Sequence, residues 1–448
     1  MGIVSIAGSK VSYVLYSTHP DAATRQEDTL RIGMFADMYK PHLSGVTNYI
    51  SLYKKRLEEL GHEVWVFTFG NTDYVDDERN VVRSPAIPWG DTGWQMGLVL
   101  SSAAKRIIPT LDIAHVHHPF LSGRVALEYC KPEGIPIVFT NHTRYDLYSD
   151  AYAWFMPKSM RYNYIRRYLR EFTSDIDLVI APSPGIREWL AEFGITDKSV
   201  LLSNCIDTEP FKHPFAPHSR QDYGFASDSV VFCYLGRVSA EKNMGLLTEA
   251  TIKAALQVDS VCLLVLGEGT ALGETREAFG EAGLAQRVRF AGLTPYAEVP
   301  NHLAACDVFV TASVSEVHPL VVMEAFAAGL PAIGVRSPGV GDIVEDGVTG
   351  YLTNEDAAQF GSRMAELALD AELRGRMAEA ASAVAGSYDV RIMADKMLAH
   401  YQRLIEHRGQ RGPGRHSRWL ARTGAVGLPA LREVLDSARS RISETADE

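Results

Sequence analysis

The chain has few cysteines and no pattern among them. Cys130, Cys205, Cys233, Cys262 and Cys306 are scattered over 448 residues without a Cys-x-x-Cys pair. That argues against a disulfide scaffold or a thiolate metal site and predicts reduced thiols in a cytoplasmic setting. No apolar run reaches the roughly 20 residues that a membrane-spanning helix needs. The first residues lack the basic start, long apolar core and cleavage pattern of a signal peptide, which again predicts a cytoplasmic chain. Excess positive charge is missing too. A net charge of -11 argues against general nucleic-acid binding, though it permits local basic patches. No acidic metal site is evident.

What is present is the composition of a globular enzyme, 46% apolar and 22% charged. At 448 residues the chain is too long for one ordinary core, so two domains are expected.

The stretch SVSEVHPLVVMEAFAAG, 313–329, carries the most chemistry. Glu316 follows an apolar strand, and Glu324 lies eight residues on, in a run with helical spacing (Leu320, Met323, Ala327). Pro319 suits the first helical position, where a missing N–H costs nothing. Glu316 then stands at a helix N-terminus, which attracts phosphate through free N–H groups and its dipole. An ionised carboxylate only accepts hydrogen bonds and so can grip sugar hydroxyls. Phosphate plus hydroxyls suggests a nucleotide sugar. A solvent-facing helix start with two surface acids reads the same locally, so the rest of the chain must decide.

In chain order, residues 1–29 read as an extension, an extra strand or a loose arm. RIGMFADMY, the turn KPHLSG, a helix stopping at Gly61 and the strand EVWVFTF open a doubly wound parallel sheet. Gly45 sits at that helix start, where backbone can approach a phosphate. DIAHVHHPFLSG and IPIVFTNHTRYDLY are strands with polar ends, and ligands in such sheets bind at the carboxyl ends of strands. His117, His118, His142 and Thr143 are therefore candidates for a site. Residues 151–170 hold Lys158, Arg161, Arg166, Arg167 and Arg170, interleaved aromatics and no acid. Such a helix either lies on anionic lipid or packs with its arginines paired to acids elsewhere. The Pro- and His-rich segment 208–220 reads as a linker, placing a first domain at 30–207.

The second domain, 208–385, repeats the grammar. Arg237 and Lys242 flank a strand-to-helix turn that can aim both cations at one diphosphate through charge-assisted hydrogen bonds. AGL, 291–293, is a strand-end loop whose backbone could read a base edge. SPGVGDIVEDGVTGYL reads as a Gly-rich turn, a short helix and a hairpin-like end. A closing helix spans 386–407. The tail 408–448 changes composition: six arginines fall between Arg403 and Arg422, and an amphipathic stretch follows. Disorder, a membrane contact and a partner helix are all compatible with it.

Over roughly 31–405 this set resembles the retaining nucleotide-sugar glycosyltransferases of the GT-B fold, the family 4 clan. The motifs are KPHLSG, HVHHPFLSG, APS, NCID, LGRVSAEKN, LVLGEG, VRFAGL, the two-glutamate block and GDIVEDGVTGYL. The resemblance implies an α/β architecture of two Rossmann-like domains facing across a cleft. It also implies a donor site of Gly45, Arg237, Lys242, Leu293, Glu316, His318, Leu320, Val321 and Glu324. Arg237 and Lys242 would hold the diphosphate, Glu316 the donor sugar, Glu324 the ribose, and the Leu293 loop the base. His117 would stand near the reacting sugar and acceptor, with His118, His142 and Thr143 on the acceptor side. His117, Arg237, Lys242 and Glu316 form the implied catalytic set. No cofactor is implied, and two cations would make a metal unnecessary.

The segment around 140–170 looks most like diacylglycerol glucosyltransferases. That implies UDP-glucose as donor, a membrane lipid as acceptor, and peripheral attachment to the inner face of the membrane through 151–170 and the tail. Three positions depart from the family pattern: His318-Pro319 for Phe-Gly, Cys205 for a glycine, and Ser44-Gly45 for a glycine pair. Pro319 has no N–H to give a donor. A soluble or polysaccharide acceptor with GDP-mannose or another UDP-sugar, an epimerase or hydrolase, and a non-catalytic nucleotide-sugar-binding protein are the alternatives.

Overall fold

The computed structural model describes residues 29–42, 44–88, 95–97, 100–146 and 158–408. The N-terminal extension, the aromatic start of the basic segment and the Arg-rich tail lie outside the described residues.

Among the described residues, nine strands belong to the first half. They are β1 (Arg31–Phe35), β2 (Glu63–Phe69), β3 (Val81–Ser84), β4 (Ala86–Pro88), β5 (Gln95–Gly97), β6 (Ile113–Val116), β7 (Ile137–Thr140), β8 (Leu178–Ala181) and β9 (Ser199–Leu201). Seven form a parallel sheet in the order β3-β2-β1-β6-β7-β8-β9, and β4 and β5 make a small antiparallel pair. The second half contributes β10 (Val230–Leu235), β11 (Val261–Leu266), β12 (Val288–Gly292), β13 (Val308–Thr311), β14 (Ala332–Val335) and β15 (Gly350–Thr353). Their order, β12-β11-β10-β13-β14-β15, is again doubly wound. The sequence dictates this locally. Runs such as VVFCYL and VCLLVL are apolar on both faces, which suits a parallel strand covered by helices on either side. In each sheet the strand order reverses beside its first strand, between β1 and β6 and between β10 and β13. Those crevices are where the candidate residues fall.

Two expectations are corrected. The hairpin-like end near residue 350 is a parallel strand, β15 on β14, reached through the short helix Pro338–Gly341. Pro319 caps its helix with extended backbone (ψ 118°), and the first helical residue is Leu320.

The last helix, Val390–Arg408, returns to the first domain. Its Val390, Met393, Met397, Leu398 and Tyr401 share one apolar cluster with Ile32, Met34, Tyr49 and Tyr53. The Tyr401 hydroxyl meets His115 Nδ1 at 2.6 Å, and His115 Nε2 meets Thr140 Oγ1 at 2.7 Å, all in the buried interior. All five cysteines are buried and free.

Tyr401→Phe removes one partner and leaves a buried imidazole nitrogen unmet, which costs about 1–3 kcal/mol. The expected outcome is a lowered midpoint in urea unfolding followed by tryptophan fluorescence. An unchanged midpoint would remove His115–Tyr401 from the contacts that hold the closing helix.

Candidate functional site

The cleft is built where the two switch points face each other. On the first-domain side, the helix Gly45–Glu59 begins at an exposed glycine, with Ser44 Oγ accepting from the Thr47 N–H at 3.1 Å and no acid in its first turn. On the second-domain side, the helix Leu320–Ala327 begins after the Glu316 loop. A Cβ built on Gly45 would lie 4.0 Å from Leu320 Cδ1, so the two N-termini stand opposite each other. Each presents N–H groups without intrahelical acceptors, which favours an anion between them.

The Arg237–Lys242 turn is set by its neighbour loop. Cβ atoms at Gly267 or Gly269, both at positive φ, would come within 1.9 Å of the Gly236 carbonyl oxygen and 2.3 Å of that of Val238. Only glycine lets LVLGEG lie so close beneath the turn. Lys242 Nζ binds Glu316 Oε1 at 2.6 Å, with the two side chains only 17% and 23% exposed. Arg237 is exposed and pairs with Glu241. In this arrangement the two cations therefore rest on different carboxylates. Burial first, and then the Arg237 charge, push His42 below its usual pKa.

The Glu316 loop belongs to one domain and is held by the other. Val317 packs into the first domain's core. Ser183 Oγ donates to the Val317 carbonyl at 3.2 Å, and Asn204 Nδ2 to that of His318 at 2.9 Å. His318 is buried, its ring edge-on to Tyr388, and burial pushes its pKa down to about 3. Its Nδ1 has no partner among the described residues. Leu320 is buried, Val321 half-buried, and Leu293 66% exposed. Glu324 is 2% exposed, so it is not a surface acid. Burial pushes its pKa up to about 7, and the neighbouring Tyr296 hydroxyl opposes that only in part.

The floor on the first-domain side is histidine. His117 is fully buried, its Nδ1 3.0 Å from His142 Nε2, with the two rings stacked at 5.3 Å. Its Nε2 has no partner among the described residues. Burial, reinforced by the neighbouring imidazoles, holds His117 and His142 well below the usual histidine range. His118 has contacts of its own within the first domain. Its Nδ1 accepts the Asp37 N–H at 3.2 Å, while the Asp37 carboxylate takes the Ser122 N–H at 2.7 Å. Thr143 is half-buried, and its carbonyl accepts from Asn141 Nδ2. Sequence reasoning missed His115, Asn204, Val317 and Tyr401. The alternating HVH pattern pointed to His115; nothing in the sequence pointed to Tyr401, 286 residues away.

Two family models lie end to end on this framework. Glycosyltransferase Family 4 matches residues 43–210, and Glycosyl transferases group 1 matches residues 216–384. The chain belongs to the GT-B glycosyltransferases of the family 4 clan. This transferase is 27% identical over 339 residues to alpha-monoglucosyldiacylglycerol synthase of Streptococcus pneumoniae, covering 72% of this chain and 75% of that protein. It is 26% identical over 392 residues to the protein of the same name from Acholeplasma laidlawii, covering 84% and 98%. The crystal structure of Anabaena Alr3699/HepE in complex with UDP superposes with a TM-score of 0.66 at 17% identity, over 84% of the transferase and all of that chain. That likeness speaks to the fold. As a nucleotide-sugar-dependent hexosyltransferase, the chain is an enzyme.

Glu324 gives a pH signature. Its pKa in the folded state, about 7, lies above its ordinary 4.5. The unfolded state therefore loses the proton first, and stability falls as pH rises through that window. If ribose hydroxyls donate to the carboxylate, as the family resemblance implies, they favour its ionised form. Nucleotide binding should then release a proton below about pH 7 and tighten as pH rises towards it. Calorimetry with UDP in two buffers of different ionisation enthalpy measures the release. Glu324→Gln should abolish this component while keeping that of the phosphate itself; equal release in both proteins would take the ribose role from Glu324.

Proposed function

We propose that the transferase moves glucose from UDP-glucose to the hydroxyl of a membrane lipid such as diacylglycerol, with retention of anomeric configuration. The observation that carries the transfer chemistry is the approach of two helix N-termini across the cleft, beside the turn that holds the Lys242–Glu316 pair. The glucose and the lipid follow the printed names of the two synthases, one matched over 98% of its length. UDP accords with its presence in the Anabaena structure.

The reaction must break an anomeric C–O bond whose leaving group is a nucleoside diphosphate. Arg237, Lys242 and the two helix N-termini offset the charge that grows on the departing phosphate, with no reorganisation at the moment of reaction. The acceptor hydroxyl attacks the anomeric carbon from the leaving-group face. Its oxygen bonds to that carbon as the bond from the carbon to the phosphate oxygen breaks, and its proton passes to the departing phosphate. Glu316 positions sugar hydroxyls, and His117 Nε2 holds a donor or acceptor hydroxyl in place. In this scheme the cations do the work a divalent metal would do. Domain closure assembles the site around the substrates.

A membrane acceptor needs a surface that meets a membrane. The helix Lys158–Ser174 buries Ile165, Leu169 and Phe172 and exposes Met160 and Tyr164 beside Arg166, Arg167 and Arg170. Of these arginines, Arg167 pairs with Glu171 along the helix at 2.9 Å. Apolar tips among cations suit the interface of an anionic bilayer. We place the protein as peripheral on the inner, cytoplasmic face. No described helix is long and apolar enough to cross a membrane.

Offered UDP-glucose, UDP-galactose, UDP-N-acetylglucosamine and GDP-mannose, with and without anionic liposomes holding diacylglycerol, the protein should consume UDP-glucose in a liposome-dependent way. Consumption indifferent to liposomes would move the acceptor to a soluble molecule. Arg237→Ala and Lys242→Ala should each slow turnover by at least about a hundredfold; near-normal rates in both would overturn the diphosphate assignment. Replacing Arg166, Arg167 and Arg170 together by Gln removes about 1 kcal/mol per charge, so vesicle affinity should fall roughly a hundredfold in co-sedimentation. Unchanged co-sedimentation would clear this face of membrane contact.

A further inference from the structure

The first-domain motifs APS and NCID contribute no group to the transfer described above. Each places one polar side chain beyond the end of a strand, Ser183 after β8 and Asn204 after β9. Both side chains are buried, and both reach into the other domain. Ser183 Oγ accepts the Ile186 N–H at 3.3 Å, capping the helix Pro184–Glu192, and gives its one proton to the Val317 carbonyl at 3.2 Å. Asn204 Nδ2 donates to the His318 carbonyl at 2.9 Å. The Asn204 carboxamide oxygen has no partner among the described residues. Among those residues, then, the Asn204 side chain is committed to the other domain and bonds to nothing in its own.

What the two side chains hold is the segment that carries Glu316. On one side this segment rests on its own domain. A Cβ at Gly339 would strike the Glu316 carbonyl, so the segment and the short helix Pro338–Gly341 meet backbone to backbone. Lys242 Nζ holds the Glu316 carboxylate at 2.6 Å. On the other side the first domain takes the next two residues. Its core receives the Val317 side chain, and its two donors take the carbonyls of Val317 and His318. Asp342 Oδ2, just past the short helix, accepts the Gly185 N–H at 3.0 Å and ties the same seam. Parting the domains would remove both donors at once and leave the segment held from one side. Such control matters beside reacting atoms, where a shift of about 1 Å can slow a reaction by about a hundredfold.

We propose that Asn204, assisted by Ser183, is a positioning residue for Glu316. By pinning the carbonyls that follow Glu316, the pair places its carboxylate for transfer, and only in the register where the two domains meet. This role rests on the one proposed for Glu316 above. The nucleotide contacts implied for Arg237, Lys242, Glu324 and the Leu293 loop involve other segments of the second domain, so UDP should bind without the Asn204 donor.

The test uses the full chain carrying Asn204→Ala or Asn204→Leu, the second of which keeps the bulk of the side chain. Hydrogen exchange over residues 313–319 should quicken in both variants and stay unchanged in β10 and β11. Unaltered exchange over 313–319 would overturn the proposal. Turnover is followed with whichever of the four donors the wild-type chain consumes fastest. There kcat should fall about ten- to a hundredfold while the Kd for UDP holds. A Kd for UDP that weakens in step with kcat would mark a merely structural contact and overturn the positioning role. Added to Glu316→Gln, Asn204→Ala should cost little more, because the carboxylate it places is already gone. Two losses that multiply would count against it. Glu316→Gln at the wild-type rate would remove the role of Glu316 itself and this one with it. A slow Glu316→Gln beside near-normal Asn204 variants would remove the positioning role alone.

Discussion

The relative placement of the two domains rests on a knot of hydrogen bonds where the chain crosses between them twice. The outgoing crossing passes Ile206 and the returning one passes Tyr388–Val390. The Ile206 N–H donates to the Tyr388 carbonyl at 3.0 Å, and the Val390 N–H to the Ile206 carbonyl at 2.8 Å. Asp389 locks the pair, accepting from Thr208 Oγ1 at 2.6 Å and from the Arg391 guanidinium at 2.7 Å. Burial alone would raise the Asp389 pKa, but these hydrogen bonds outweigh it and hold the carboxyl well below the usual range. Each bond alone contributes little. Together they join two strand-like segments into a hinge with one register, and every cleft contact depends on that register.

The Lys242–Glu316 pair shows how such a cleft can be stable and still ready to bind. A lysine and a glutamate mostly withdrawn from water would be costly apart, and together each meets the other's demand. In the proposed reaction an incoming diphosphate gives Lys242 a stronger anion, and sugar hydroxyls give Glu316 new donors. The exchange leaves neither group stranded. It also makes the pair selective, because a ligand with phosphate but no hydroxyls frees Glu316 without replacing its partner.

Legibility followed the range of the interactions. Strands such as VCLLVL and helices with 3.6-residue spacing are local patterns, so the doubly wound halves could be read from sequence. Glu316, Lys242 and His117 were singled out because they follow strand ends, where ligands bind in this architecture. The hairpin-like reading of 337–352 failed because a glycine-rich turn fixes a reversal but not the strand it pairs with, and Gly350 pairs with Ala332 in parallel. The contacts of His118 were illegible for a related reason. Only the fold shows that the Asp37 N–H, 81 residues earlier, donates to the His118 ring. Asn204 acts across the domains and Tyr401 across 286 residues of chain, where sequence spacing carries no information.

The histidine floor bears on the proton. Imidazoles at 115, 117 and 142 packed together would form a cluster of cations if they ionised, and burial holds all three well below their usual pKa. They are therefore neutral, with donor and acceptor roles set by Tyr401, Thr140 and one another. A neutral ring that resists protonation orients a hydroxyl well and removes its proton poorly. In the proposed transfer the best base near the attacking oxygen is then the departing diphosphate, whose basicity rises as its bond to carbon breaks.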